Sequence, residues 1–434
     1  MQGSTAPLIN AQPLGQSQVS GLDATFAVDA AGTPPLSYQW QFNGADIPGA
    51  TGSSYTVVNV QATNVGNYSV VITNVAGSIV SSNAPLDFGE VTSWGSAGSA
   101  NRIAISVPIG TSNVLAIAAG NYWGLVLKSD GTISAWGWST YGQTNLPQAA
   151  TNVLSVDAGE QHGLMLKGDG TVEAWAGDSF YGETNVPAGL SNVVCVRGGS
   201  TESLALRADG TAVGWGYGTA TNVPADFTNA VAVDAGGYFG LGLKADGTVV
   251  TWGGPPVPTN LASVVAISAG GGFSVALLSN GTVSAWGQNT YGEISVPPGL
   301  SNVVAISCGG FHTLALRADG TVVSWGLPLS VTNLPARLTN VIAVAAGEFD
   351  SLALVGNGPP VLRASVSDVS FSGNGFRLKA PSQSGKVYQL QYKNSAEDAS
   401  WTSLPLVAGS GKTITLADGT AGNSPHRIYR VLRW

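Results

Sequence analysis

A tryptophan followed by a small residue returns at Trp94, Trp136, Trp175, Trp215, Trp252, Trp286 and Trp325, at intervals of 34 to 42 residues. One template surrounds it: Asn-Val, an apolar strand, a Gly, a second apolar strand, Asp-Gly-Thr, a third strand, then Trp-Gly. The copies SNVVAISCGGFHTLALRADGTVVSWG and TNVLSVDAGEQHGLMLKGDGTVEAWA display it in full. Self-similarity at this period marks a repeat architecture, each copy being one supersecondary unit that buries its apolar face only against its neighbours. Full copies begin at Asn113, Asn152, Asn192, Asn229, Ser263 and Asn302. The seventh begins at Asn340 and stops near Leu354, after two strands, and VTSWG at 91–95 supplies the strand it lacks. Sharing one unit between the two ends suits a ring that must close, whereas an open solenoid calls for capping repeats. The expectation is an all-β chain whose residues 90–355 form a seven-bladed β-propeller with three or four short strands per blade.

The turns agree. Asp-Gly at 130, 169, 209, 246 and 319, and Asn-Gly at 280, stand between apolar strands. They are read as two-residue hairpin loops with both central residues at positive φ. The seven Trp are assigned to the core between blades, the following Gly permitting close backbone approach. With 434 residues, 59 of them Gly, and only 10% charged, the chain exceeds one core and favours short strands over helices.

On these phrases, and on AAGxxHxLALxxDGTVxAWG and YGQTNLP (141–147), the middle of the chain resembles the regulator of chromosome condensation repeat family, most of all its bacterial short-repeat members. The resemblance spans roughly residues 90–355 and implies the propeller. It leaves function open, because the family includes nucleotide-exchange factors and inhibitors of lactamases.

Residues 6–87 resemble a bacterial immunoglobulin-like sandwich. Trp40 sits where a core Trp on the third strand would, Tyr68 in NVGNYSVVITN is placed as the corner tyrosine, and Val28 and Val70 fill the two disulfide positions. After the linker GNGPP (356–360), residues 361–434 alternate as short strands and look like a small sandwich related to fibronectin type III. The basic residues between Arg363 and Arg433 are read as a solvated face, and His426 as a surface residue.

Successive strands reverse, so the loop after the first strand and the loop after Trp-Gly gather at one end, and loops on a rigid scaffold are where function usually sits. In register, the last position of the first loop carries Trp123, His162, Glu202, Phe239, Phe273, His312 and Asp350. The position before it carries Tyr122, Gln161, Thr201, Tyr238, Gly272, Phe311 and Phe349, and the second set of loops adds Trp138, Phe180 and Tyr217. Aromatic rings offer large contact area at low entropic cost. Tyr122, Trp123, Trp138, Tyr238, Phe239, Phe311 and Phe349 are therefore the candidate ligand-binding residues. Tyr141, Tyr181 and Tyr291, each in Tyr-Gly, are assigned to the repeat core.

His162 with Glu202, and His312 with Asp350, share a register in adjacent blades. An acid beside a His raises its basicity, as general-base catalysis requires. The expectation is nonetheless a scaffold role, and no catalytic residue is assigned. If the chain were an enzyme, these four would be the candidates, with Arg197 holding an acidic sugar. Arg197 shares a strand register with Asp157 and Asp234, read as a charge-compensated structural cluster on the channel wall.

Twenty-five acids against 17 bases give a formal net charge of −8, and no basic cluster marks a phosphate-binding surface. Nucleic acid is not an expected partner, nor is membrane insertion, since no apolar run approaches the roughly 18–20 residues needed. The opening MQGSTAPLINAQP lacks the basic and apolar segments of a signal peptide. Cys195 and Cys308 fall three blades apart and read as buried free thiols. No nucleophile elbow, zinc, phosphate-loop or dinucleotide motif occurs, and neither a metal nor a cofactor is expected. The leading expectation is a secreted or cell-surface binding or adhesion protein whose aromatic propeller face holds a polysaccharide or a protein. The alternatives are a carbohydrate-active lyase or hydrolase, and an inhibitor of another enzyme.

Overall fold

Each copy of the template folds as a three-stranded antiparallel meander because its apolar runs are short and its polar turns are fixed. The computed structural model describes residues 4–18, 23–58, 60, 62–95, 106–148, 150–177, 180–327, 329–356, 366–372, 375–421 and 427–434. The linker from 357 to 360 and His426 lie outside them. Within blade 1, Val114–Ala119 pairs with Trp123–Lys128, which pairs with Ile133–Gly137. The same order repeats in Val153–Ala176, Val193–Gly216, Ala230–Trp252, Val264–Gly287 and Val303–Gly326. In the seventh sheet Val341–Ala346 pairs with Asp350–Val355, and Val91–Gly95 completes it from the other end of the repeat region. The chain is all-β, with a seven-bladed propeller that β-sandwich regions precede and follow in the sequence.

The hairpin turns differ from the two-residue expectation. Only the glycines at 131, 170, 210, 247, 281 and 320 take positive φ, between 78° and 86°, and their Asp or Asn neighbours do not. In blade 1, Gly131 N donates to Lys128 O at 3.0 Å and Lys128 N to Thr132 O at 2.8 Å. This is a three-residue loop, a turn closed by a left-handed Gly. Asp130 Oδ1 accepts the Thr132 amide at 2.9 Å and its hydroxyl at 2.6 Å, which explains the recurring Asp-Gly-Thr. The other left-handed position is the residue that starts each repeat. Asn113, Asn152, Asn192, Asn229, Asn302 and Asn340 have φ of 54–57°, and Ser263 has 59°. Asn tolerates this conformation better than most residues because its short polar side chain bonds locally.

The repeat tryptophans are buried. Trp175 Nε1 donates to Gln143 O at 3.0 Å, Trp215 Nε1 to Glu183 O at 2.9 Å and Trp325 Nε1 to Glu293 O at 2.8 Å, in each case a carbonyl in the loop that leaves the preceding blade. Their rings lie on a middle-strand Gly or small residue: a methyl group on Gly163 would stand 2.2 Å from the Trp175 ring.

Residues of the N-terminal sandwich pack Phe26, Trp40, Val57, Tyr68, Val70 and Ile72 into one core. Trp40 Nε1 donates to Gly52 O at 3.0 Å, and the Tyr68 hydroxyl donates to Asn64 O at 2.9 Å, the tyrosine-corner bond of immunoglobulin-like domains. Val28 and Val70 are both buried in that core.

The C-terminal residues form two three-stranded sheets. One joins Ser367–Ser372, Gly375–Pro381 and Thr413–Asp418; the other joins Thr402–Ala408, Val387–Lys393 and Ile428–Arg433. Leu378, Tyr388, Leu390, Ile414 and Leu416 lie between them. This sandwich packs on the propeller at the hairpin-turn end. Val387 and Leu406 join the apolar cluster of Cys195, Val231 and Val233, and Leu406 N donates to Ala208 O at 2.9 Å.

Candidate functional site

The first strand of every blade lines the central channel, and the loop after it forms the channel mouth. Ala119, Ala158, Gly198, Ala235, Ala269, Cys308 and Ala346 make a ring of small side chains. Outside that ring the mouth is edged by backbone glycines and by Glu160, Ser200 and Glu348. Gly fits there because the neighbouring blade crowds it: a methyl group on Gly347 would lie 2.2 Å from Gly120 O. Glu160 accepts the Ser200 hydroxyl, and burial raises its carboxyl above the usual range despite that bond.

The last loop position is not a surface position. Trp123, His162, Glu202, Phe239, Phe273, His312 and Asp350 are all buried. They begin the middle strand, or in Phe239 immediately precede it, and their side chains tuck beneath the next blade. Trp123 Nε1 donates to Glu160 O at 3.0 Å. Trp123 and Phe239 are thereby withdrawn from the candidate ligand residues. Tyr122 is also buried, at a φ of 59°, its amide donating to Asp350 Oδ1 at 3.2 Å.

The two His–acid pairs do not form. His162 Nε2 bonds Ser203 Oγ at 2.9 Å, and that hydroxyl donates onward to Glu183 O, so the imidazole donates from Nε2. His312 Nε2 bonds Ser351 Oγ at 2.9 Å. Burial pushes His162 down to about 4 and His312 down to about 3, so both imidazoles are neutral at pH 7. Burial likewise raises Glu202 to about 8 and Asp350 well above the carboxylate range. These groups plug the gap between blades and reach no solvent, which argues against the catalytic roles considered for them. Arg197 does stand on the channel wall, its Nε 3.6 Å from Asp234 Oδ1, with Asp157 on the same wall. Cys195 and Cys308 are free thiols, Cys308 half-buried on the ring of small side chains.

The aromatic rings of this face form two rows, which run from buried Tyr122 and half-buried Phe311 and Phe349 to exposed Tyr291, Phe180 and Tyr217. Tyr291, Phe311, Phe349 and Tyr122 run edge-to-face, then tilted, then stacked, with successive ring centroids 5.5, 5.3 and 5.3 Å apart. Trp138 packs edge-on to Tyr141 at 5.5 Å, and its amide donates to Tyr122 O. The second row is Phe180, Tyr181 and Tyr217, with centroids 5.1 and 5.4 Å apart. Phe180 is 82% exposed, Tyr217 60% and Tyr238 59%. Gly218, after Tyr217, lies against Tyr238, and the carboxylates of Glu160, Glu202 and Glu348 add to burial in raising the Tyr238 phenol.

The Tyr-Gly residues assigned to the core are in part exposed. The buried partner is two residues on: Glu293 Oε2 accepts Tyr291 N at 2.8 Å and Gln143 Oε1 accepts Tyr141 N at 3.0 Å. The repeat conserves its loop shape through that buried acid or amide, leaving Tyr181 and Tyr291 at the surface. Among the described residues, no group of three or more His, Cys, Asp or Glu is placed to hold a metal ion, and no helix is long and apolar enough to cross a membrane.

The regulator of chromosome condensation (RCC1) repeat model matches residues 114–143, 264–293 and 303–328. The crystal structure of Kap60 bound to yeast RCC1 contains a similar fold, with a TM-score of 0.51 and 16% identity, over 61% of this chain and 88% of that one. The ectodomain of the Arabidopsis thaliana receptor kinase ACR4 aligns with a TM-score of 0.45 and 19% identity, over 57% of this chain and 97% of that one. Endoglucanase C of Cellulomonas fimi is 38% identical over 81 residues, 18% of this chain and 7% of that protein. This chain therefore spans less than a tenth of that relative, and the structural likeness, at 16% identity, is one of fold.

Proposed function

We propose that this chain, an RCC1-repeat propeller with immunoglobulin-like sandwich regions, is a binding protein of the cell exterior that holds a neutral polysaccharide on its loop face. The observation that carries the reading is the pair of aromatic rows beside a polar mouth. A sugar ring presents apolar C–H faces to an aromatic ring and hydroxyls to its edges, and this face supplies both partners. The rings of Phe180, Tyr181, Tyr217 and Tyr238 offer the stacking surface, and Glu160, Ser200 and Glu348 offer hydrogen-bond acceptors at the mouth. Carboxylates there and a formal net charge of −8 repel anionic chains, which favours a neutral glycan over an acidic one. The 81-residue likeness to an endoglucanase is in keeping with a carbohydrate setting. Buried, neutral His162 and His312 favour binding without cleavage.

Affinity electrophoresis of the full chain through gels holding a neutral β-glucan or an acidic polysaccharide tests this. The expected result is retardation by the neutral glycan, weakened about tenfold for each of Phe180→Ala and Tyr217→Ala, equivalent to ~1.4 kcal/mol per ring. Recovered glycan keeps its length. Equal mobility of wild type and the double variant in every gel would overturn the proposal, and shortened glycan would replace it with an enzyme.

A further inference from the structure

Beneath the ring of small side chains the channel widens into a chamber of about 330 Å³. A water molecule claims about 30 Å³ of liquid, so the space admits several waters or a small solute. Its walls are the first strands of the blades, and its floor is the C-terminal loop Gln383–Lys386 with Arg433. The Ser384 hydroxyl bonds Leu154 O and holds that loop in place. Lys386 ends the loop and lines the chamber, half-buried.

The Lys386 amine has neither an ion pair nor a hydrogen bond among the described residues. The chamber's carboxylates are committed elsewhere. Asp157 Oδ2 accepts Gly198 N at 2.7 Å, Asp234 Oδ2 accepts Ala269 N at 2.8 Å, and Asp234 Oδ1 lies 3.6 Å from Arg197 Nε. The groups that act on the amine are Arg433 on the last strand, and Arg197 and Cys195 on the first strand of the third blade. Burial holds the Cys195 thiol neutral, so it brings no counter-charge. An ammonium away from bulk water and without an acceptor is destabilised, which favours the free amine. Burial, which acts independently of how Arg433 is paired, is the larger cause; the two guanidinium charges add to it, and Lys386 moves down to about 8.

A lysine amine desolvated beside another cation is an activated nucleophile, and this one borders a space that a small solute can enter. We propose that the chamber captures one small uncharged aldehyde or ketone as an imine on Lys386. The nitrogen lone pair attacks the carbonyl carbon, the proton that nitrogen loses passes to the carbonyl oxygen, and that oxygen leaves as water as the C=N bond closes. An uncharged carbonyl suits the walls, because Asp157 and Asp234 repel an anion and Arg197 repels a cation. The site is independent of the aromatic face and does not rest on the polysaccharide reading.

Propanal is the probe. The full chain is equilibrated with it at pH 7, reduced with cyanoborohydride, digested and mapped by mass, reduction having turned the imine into a stable propyl-lysine. A fall from 10.5 to about 8 leaves about a tenth of the Lys386 amine unprotonated at pH 7, roughly three-hundred-fold more than an ordinary lysine. Entry into the chamber takes back part of that margin, so Lys386 is expected to carry the propyl group about tenfold or more ahead of the other lysines. Between pH 6 and 10 its labelling should level off above about 8, while theirs keeps rising. Lys386→Arg keeps the positive charge and should lose the adduct without altering the labelling of the rest, and Phe180→Ala should label as the wild type does. Lys386 labelled no faster than the other lysines, or a pH profile that climbs with theirs, overturns the site.

Discussion

Glu202 places a carboxyl group where there is no water, and its replacement by Gln should change how stability responds to pH. The side chain is 0% exposed. Oε2 accepts the Thr201 amide at 3.0 Å, while Oε1 has no partner within the fold unless it carries a proton. A methyl group on Gly199 would stand 2.4 Å from Oε1 and 2.7 Å from Gly236 O, so that carbonyl borders the same small space. Burial, opposed by the Thr201 bonds and aided by Glu160, raises the carboxyl from 4.5 to about 8. Between those values the folded chain holds a proton that the unfolded chain has released. The contribution of Glu202 is therefore full below pH 4.5 and is lost as pH rises through about 8, at a slope of ~1.4 kcal/mol per pH unit. The full loss is on the order of 5 kcal/mol. Glu202→Gln has nothing to titrate, and its amide donates where the acid's proton did. Urea unfolding at pH 5, 6, 7 and 8 should give two curves that diverge upward, the variant gaining on the wild type by roughly 3 kcal/mol from pH 5 to pH 8, with unchanged m-values. Asp350, Asp157 and Asp234 tilt both curves alike and cancel in the difference, while Glu160, coupled to Glu202, leaves a smaller remainder. A difference that stays constant with pH would refute the burial argument.

Other consequences follow from the same packing. His162 and His312 are neutral when folded and protonate from about 6.5 when unfolded, so stability should fall as pH drops from about 6.5 towards 4; the His162→Gln, His312→Gln chain should show a flatter acid limb in thermal melts. Gly163→Ala drives a methyl group into the Trp175 ring and should cost about 1–3 kcal/mol or more by denaturant unfolding. Ser263 holds a left-handed φ that Asn holds in the other copies, so Ser263→Gly should gain up to about 1 kcal/mol and Ser263→Val should lose a similar amount.

The propeller was legible because seven copies constrain one another. A Trp at a fixed interval, an Asp-Gly-Thr and a split last copy leave few ways to close a ring, and the strand order followed from them. The turn class was misread for a physical reason. Asp-Gly between strands fits a two-residue loop as well as a three-residue one, and the side-chain bond from Asp130 to Thr132 selects the longer loop. The C-terminal sandwich was legible as strands, but its Lys386 and Arg433 reaching the channel floor was not, since alternation says nothing about which neighbour a domain caps.

The candidate site was harder because register was mistaken for exposure. Trp123, His162, Glu202, Phe239, Phe273, His312 and Asp350 look diverse, and diversity within a repeat invites a functional reading. They share one task, filling the space beneath the next blade, and an indole, an imidazole, a protonated acid and a phenyl ring all do it. A sequence signal for this existed. Each begins the middle of three strands, or in Phe239 immediately precedes it, and each is followed by a Gly, Ser or Thr, which in the six full copies pairs with the repeat Trp of the third strand. Variation in the loop after Trp-Gly has no such constraint. Phe180 and Tyr217 stand in solvent in loops that the repeat does not dictate, while buried Glu293 and Gln143 hold the loop shape beneath Tyr291 and Tyr141. A scaffold that fixes its loops from below leaves their tips free to be aromatic, and that is where the proposed glycan-binding face lies.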